Sequence, residues 1–305
     1  MRQIESVVHL RKVCQLSHND WKTEPIVYRL FRKVSIYFTW FLLHFQISGN
    51  GVTLFAIVTG LLASVLIGVN YFIAGALLLL LTIILDFCDG EIARYRKQIS
   101  KEGEYLDYIF HFCVNSSVFV GISIGASQTN QSFLVTISGY ICVIAIFLLN
   151  MVITYAKCIT LWQNWLNLTN LNRDELEVNY ILRNNVLNLI KNYELKSDIT
   201  AESKISEFLN KSRNLKTHKV LTKIVTFWNF PYILIIISIS LLFQSMNWRI
   251  IIYEIHMTAI ELTLFFYAIT YILLITFFLF YNLVTKSVEK DYSLFLQNIL
   301  RLMKK

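Results

Sequence analysis

Six apolar stretches dominate this chain, at residues 51–69, 71–95, 103–126, 133–156, 220–243 and 256–284. A helix needs about 20 mostly apolar residues to cross the hydrocarbon core of a bilayer, and these stretches have that length. The composition agrees, with 55% hydrophobic residues, 16% charged residues and a mean hydropathy of +0.53 over 305 residues. A soluble domain of this size has no use for so much apolar surface. The sequence therefore predicts an all-α integral membrane protein with six transmembrane helices, each satisfying its own backbone polar groups.

The basic residues orient this arrangement. Of the 28 Lys and Arg, all but Arg249 lie before residue 34, in the turn from Arg94 to Lys101, between Lys157 and Lys223, or after residue 285. With six spans these four regions fall on one side, which the positive-inside rule makes the cytoplasm. The implied setting is a bacterial or archaeal inner membrane, or the endoplasmic reticulum in a eukaryote. A net charge of +8 spread over such loops suits anionic lipid headgroups and argues against a nucleic-acid partner.

Charge also enters the apolar pattern itself. Between Asp86 and His111 the sequence reads DFCDGEIARYRKQISKEGEYLDYIFH. Carboxylates are expensive in a bilayer and mark functional positions there. On a helix, Asp86, Asp89 and Ala93 share one face at i, i+3 and i+7, while Gly103, Asp107 and His111 share another at i, i+4 and i+8. A short turn after Arg94 brings the two faces together, so three carboxylates converge. Left unpaired they would repel and take up protons, and a divalent cation is the simplest way to keep them ionised. Gly90 leaves the backbone bare where a phosphate can press close.

The pattern D-x2-D-G-x2-A-R-x8-G-x3-D-x3-H resembles the signature of the CDP-alcohol phosphotransferase family, which ends in aspartate. Asp86, Asp89, Gly90, Ala93, Arg94, Gly103 and Asp107 match in order, and His111 replaces the final aspartate. ISGNGVT, residues 47–53, resembles the entry to the family's first membrane helix, with Gly49 where proline is usual. The resemblance implies metal-dependent transfer of a phospho-alcohol from a CDP-alcohol donor to a hydroxyl acceptor, with release of CMP, by a homodimer. It implies one or two Mg2+ or Mn2+ ions on Asp86, Asp89 and Asp107. Gly90, Ala93 and Gly103 would admit the nucleotide, Arg94 would clamp a phosphate, and Asn50 and Thr53 would touch the cytidine. His111 then takes the place of the family's general base and metal ligand, chemistry that imidazole supports near neutral pH. The alternative is a packed histidine in an inactive relative.

Around this core the sequence divides further. Residues 1–46 form a cytoplasmic segment whose stretch 22–46 mixes Arg29, Arg32 and Lys33 with Tyr37, Trp40 and Phe41. It reads either as a helix lying in the interface, its cations toward headgroups, or as the loose start of a span. Residues 1–21 carry no legible pattern. Spans one to four, with the signature, make up residues 47–157, and 158–219 is a polar helical insertion outside the bilayer. Residues 220–285 hold the last two spans, Pro231 kinking the first of them, and 286–305 form a basic tail. Lys157 either binds an acceptor phosphate or anchors its span to headgroups. Glu261 reads as an interfacial carboxyl, Asn115 as a partner of His111 or a packing residue, and the five cysteines as free thiols.

Three functions compete. The first uses CDP-diacylglycerol as donor and an unidentified polar alcohol as acceptor, and the second a soluble CDP-alcohol with a lipid or glycolipid acceptor. The third is a cation- or proton-coupled transporter built on the aspartates. Against it, the acids cluster toward one membrane face and the two halves show no repeat.

Overall fold

The structure, a computed structural model, describes residues 6–16, 25–129, 133–150, 228, 230–252 and 255–285, with residues 158, 159, 184 and 188. The chain divides into two units, Met1–Ile146 with Thr226–Ile269, and Phe147–Val225 with Thr270–Lys305. The site lies in the first. The predicted insertion, Lys157 and the basic tail fall outside the described residues, apart from single positions in the insertion.

Among the described residues the elements run α1 (Val7–Arg11), a π-helical turn (Lys12–Leu16), α2 (Ile26–His44), α3 (Gly49–Gly68), α4 (Phe72–Arg96), α5 (Lys101–Thr129), α6 (Phe133–Asn150), α7 (Tyr232–Ser245), β1 (Arg249–Ile252), β2 (Ile255–Thr258) and α8 (Ala259–Thr285). Four helices, α3, α4, α5 and α8, are long and apolar enough to cross a membrane, while α6 and α7 are apolar but shorter. At about 1.5 Å per residue, the 14 residues of α7 reach about 21 Å, less than a hydrocarbon core of about 30 Å.

In α3 size sorts the faces of a helix that is apolar all round. Ala56, Gly60, Ala63, Ser64 and Gly68 turn inward, whereas Leu54, Phe55, Val58, Leu61, Leu62 and Val65 are exposed. Small residues let α3 approach α4 and α5 closely, which is how helices associate where no hydrophobic force separates protein from lipid. The tightest of these approaches to α3 is at Gly121 of α5, where a Cβ would run into the Ser64 carbonyl.

The helix α2 is inside out. Arg32, Ser35, Ile36, Thr39 and Leu43 face α4, while Leu30, Val34, Tyr37, Phe38, Phe41 and Phe45 are exposed. Polar groups toward protein and large apolar ones outward leave an apolar surface on the helix's free side. Arg32, however, is buried and does not point to headgroups.

Three other expectations change. Pro231 stands at the start of α7, where it needs no N–H partner, and the part of the expected span at 220–227 falls outside the described residues. The last span begins at Ala259 instead of 256, because the strands β1 and β2 pair antiparallel ahead of it, Arg249 with Thr258 and Ile252 with Ile255. Glu261 is buried and caps α8: its Oε2 accepts from the Thr258 N–H at 2.8 Å, and its own N–H lies 3.4 Å from Thr258 Oγ1.

Candidate functional site

The signature straddles the turn from α4 to α5, and its backbone is stopped and restarted by recognisable devices. Lys97 adopts a left-handed conformation, φ 55°, while Gln98 N–H donates to the Ala93 carbonyl at 2.9 Å and Lys97 N–H to that of Arg94 at 3.2 Å. Three residues on, Ser100 Oγ accepts the Gly103 N–H at 3.0 Å and opens α5. This reversal sets the end of α4 beside the start of α5.

One ligand atom from each of Asp86, Asp107 and His111 then lies within 4.8 Å of the others. His111 Nε2 is 3.3 Å from Asp107 Oδ1. Asp86 Oδ1 and His111 Nδ1 are buried without a hydrogen-bond partner, an arrangement that protein groups leave open at a cost. Two carboxylates and an imidazole with orphaned atoms fit a divalent cation, and the imidazole suits Mn2+ better than Mg2+. Phe230, its ring centroid 4.4 Å from that of His111, covers the imidazole from the loop before α7. Asn115 does not orient His111, whose Nδ1 has no partner and whose Nε2 faces Asp107.

These groups open on a cavity of about 710 Å³, whose walls include every signature residue from Asp86 to His111 together with Gly49, Asn50 and Thr53. Asp89 shares the cavity but stands outside the close trio. Its Oδ2 accepts from Thr53 Oγ1 at 2.6 Å, so Thr53 serves a carboxylate. Gly49 lets α3 reach this region, since a Cβ there would sit 3.0 Å from the Asp89 carbonyl and 3.3 Å from Ala93 Cβ. At Gly103 a Cβ would lie 3.1 Å from Asn50 Oδ1. Over Gly90 lie the terminal nitrogens of Arg94, which a Cβ there would approach to 3.2 and 3.4 Å. The Arg94 Nε donates to the Cys14 carbonyl at 2.8 Å.

Residues 47–170 match the model of the CDP-alcohol phosphatidyltransferase family. The matched segment contains the whole signature and the helices α3, α4 and α5, each long and apolar enough to cross a membrane. No curated protein matches the chain. The transporter reading finds no support.

Several cavity residues escaped the sequence reading. Tyr28, Arg32, Phe87 and Phe230 line the wall, with the Arg32 guanidinium 5.5 Å from the Phe87 ring centre. More telling is Glu91, fully buried inside the signature. Its Oε1 accepts from Gln15 Nε2 and Ser35 Oγ, and its Oε2 from Thr39 Oγ1, each at 2.7 Å. A carboxylate in an apolar helix announces that it needs partners. Those partners come from α2 and from residues 6–16, where no periodicity pointed to them.

Proposed function

We propose that this cavity is the active site of a metal-dependent CDP-alcohol phosphotransferase. The observation that carries the reading is the convergence of Asp86, Asp107 and His111, with two orphaned atoms, inside the segment that matches the family. Asp86, Asp107 and Asp89 would hold one or two Mg2+ or Mn2+ ions, with His111 within reach as a further ligand. Bound there, the metal would neutralise the pyrophosphate of the donor and stabilise departing CMP.

The protein groups have separate tasks. Arg94, its Nε already engaged, offers its remaining nitrogens to a donor phosphate, and the missing side chain at Gly90 leaves room for that approach. Gly103 and Asn50 shape the opposite wall for the nucleotide, beside Ala93. The acceptor hydroxyl forms the new P–O bond as the bond to CMP breaks, and its proton must go to a base. Asp107 beside Nε2 favours the tautomer with the proton on Nε2, which leaves Nδ1 bare either to receive the hydroxyl proton or to ligate metal. An Nδ1 on metal could not also take that proton, so the two roles of His111 are separable by experiment.

The donor we assign is CDP-diacylglycerol, for a lipid tail can lie along the exposed apolar faces of α2 and α3 while the headgroup enters the cavity. The alternative is a soluble CDP-alcohol with a lipid or glycolipid acceptor. Lys157 is proposed to meet an acceptor phosphate. The protein would be a homodimer, as the family resemblance implies, with α6 and α7 completing six spans and the site facing the cytoplasm. The test is CMP release by purified protein from CDP-diacylglycerol and from soluble CDP-alcohols, each with a panel of polar and lipid alcohols. Release with one pairing identifies the reaction, and no release from any CDP-alcohol overturns it.

A further inference from the structure

Residues 7–16 lie outside the family-matching segment, yet they grip the signature helix at two points. The turn Lys12–Leu16 packs against α4 with Cys14 and Gln15 fully buried, and Leu10 of α1 is buried before it. Burying an amide such as Gln15 is unfavourable unless its donors are used. Gln15 Nε2 donates at 2.7 Å both to Glu91 Oε1 and to the Arg32 carbonyl. One position earlier, the Cys14 carbonyl accepts from Arg94 Nε at 2.8 Å. Adjacent residues of one turn thus bind a buried carboxylate and the signature arginine three residues beyond it.

The consequence for Arg94 is geometric. An arginine has several torsions, and ordering it on substrate costs rotamer entropy. With Nε tied to the strap, the guanidinium plane is fixed and its terminal nitrogens stand over Gly90, on the cavity wall. Glu91 holds the strap in place and is itself held by Ser35 and Thr39 of α2. Strap, α2 and signature helix therefore form one polar knot behind the cavity.

We propose that residues 7–16 are a positioning strap: Gln15 and Glu91 latch it, and the Cys14 carbonyl aims Arg94 at the phosphates of a cytidine nucleotide. The proposal rests on Arg94 being the phosphate clamp of the reading above. Because the closed strap favours nucleotide binding, bound nucleotide must favour the closed strap by the same factor. Gln15 and Glu91 act through Arg94 and do not touch substrate.

Cys14 reports the strap's position. It is fully buried and does not line the cavity, so a ligand cannot shield it directly. Burial, foremost, pushes its thiol up to about 11, and alkylation in the closed state near neutral pH is slow. The experiment measures maleimide labelling of Cys14 by peptide mass spectrometry in the full-length protein, with and without CMP and Mn2+. CMP is expected to slow labelling of the wild type several-fold. Gln15→Leu should speed labelling at least 10-fold, remove the CMP protection, and raise KM for the CDP-alcohol donor about 10-fold with kcat much less changed. Buried Cys88 and Cys142 staying unlabelled shows that the variant folds. Freely labelled Cys14 with an unchanged donor KM would overturn the strap while leaving the phosphotransferase reading intact. If the variant does not fold, the wild type decides alone: saturating CMP that leaves Cys14 labelling unchanged refutes the coupling. A wild type that neither binds CMP nor releases it would sink the functional reading instead.

Discussion

Thr53→Val removes one hydroxyl and almost no volume. In the structure that hydroxyl donates to Asp89 Oδ2 at 2.6 Å from a side chain only 4% exposed, so water cannot easily replace it. A hydrogen bond to a charged group contributes about 1.5–3 kcal/mol, and leaving a partly buried carboxylate oxygen without a donor forfeits a similar amount. If the loss is felt where Asp89 helps hold metal and phosphate, a factor of ten per 1.36 kcal/mol makes it about 10- to 150-fold in kcat/KM. Thr53→Ser keeps the donor and should stay within a few-fold of the wild type. Thr59→Val is the control, since Thr59 Oγ1 lies 3.0 Å from Thr82 Oγ1 in the same helix pair but lines no part of the cavity. It should lower the unfolding temperature without changing kcat/KM. The assay is CMP release with the donor varied, beside thermal unfolding in detergent. Wild-type kcat/KM in Thr53→Val, or equal losses in Thr53→Val and Thr53→Ser, would refute the assignment of Thr53 to Asp89.

Three further outcomes are expected. His111→Asp should retain part of the activity, because a carboxylate can act as base or ligand, whereas His111→Leu should lose about 10²- to 10⁴-fold; equal kcat in wild type and His111→Leu would reduce His111 to packing. Gly121→Ala should destabilise the bundle by about 1–3 kcal/mol through its clash with the Ser64 carbonyl, while Gly68→Ala, whose Cβ meets nothing closer than 3.7 Å, should be neutral or stabilising in thermal melts. Protease added to inverted membrane vesicles should cut within residues 158–219, and cleavage only from the opposite side would reverse the proposed orientation.

The carboxylate cluster was legible because helical spacing turns sequence offsets into faces, and because charge in an apolar stretch is costly enough to be informative. Asp86, Asp107 and His111 meet as that spacing implies. Asp89 stands slightly apart because Thr53 holds it, a side-chain partnership across 36 positions that no periodicity encodes. Glu91 could have been singled out on the same argument as the aspartates. Its partners could not, since Gln15 lies in a segment with no apolar pattern and Ser35 and Thr39 occupy the polar stripe of a helix whose large apolar residues face outward. The misreading of Arg32 has the same origin: in an inside-out helix a cation can face protein. The strand pair β1–β2 was hidden by its own composition, for a run of three isoleucines looks equally like a strand and the edge of a span.

If the trio of Asp86, Asp107 and His111 works through a divalent cation, activity follows the metal. The direct measurement is CMP release from the CDP-alcohol donor by chelator-stripped protein as Mn2+ or Mg2+ is titrated back, in the wild type and in Asp86→Asn and Asp107→Asn. No turnover is expected in EDTA, with recovery that saturates with added metal in the wild type and none at the same metal concentration in either variant. Undiminished CMP release in EDTA would contradict this dependence on metal.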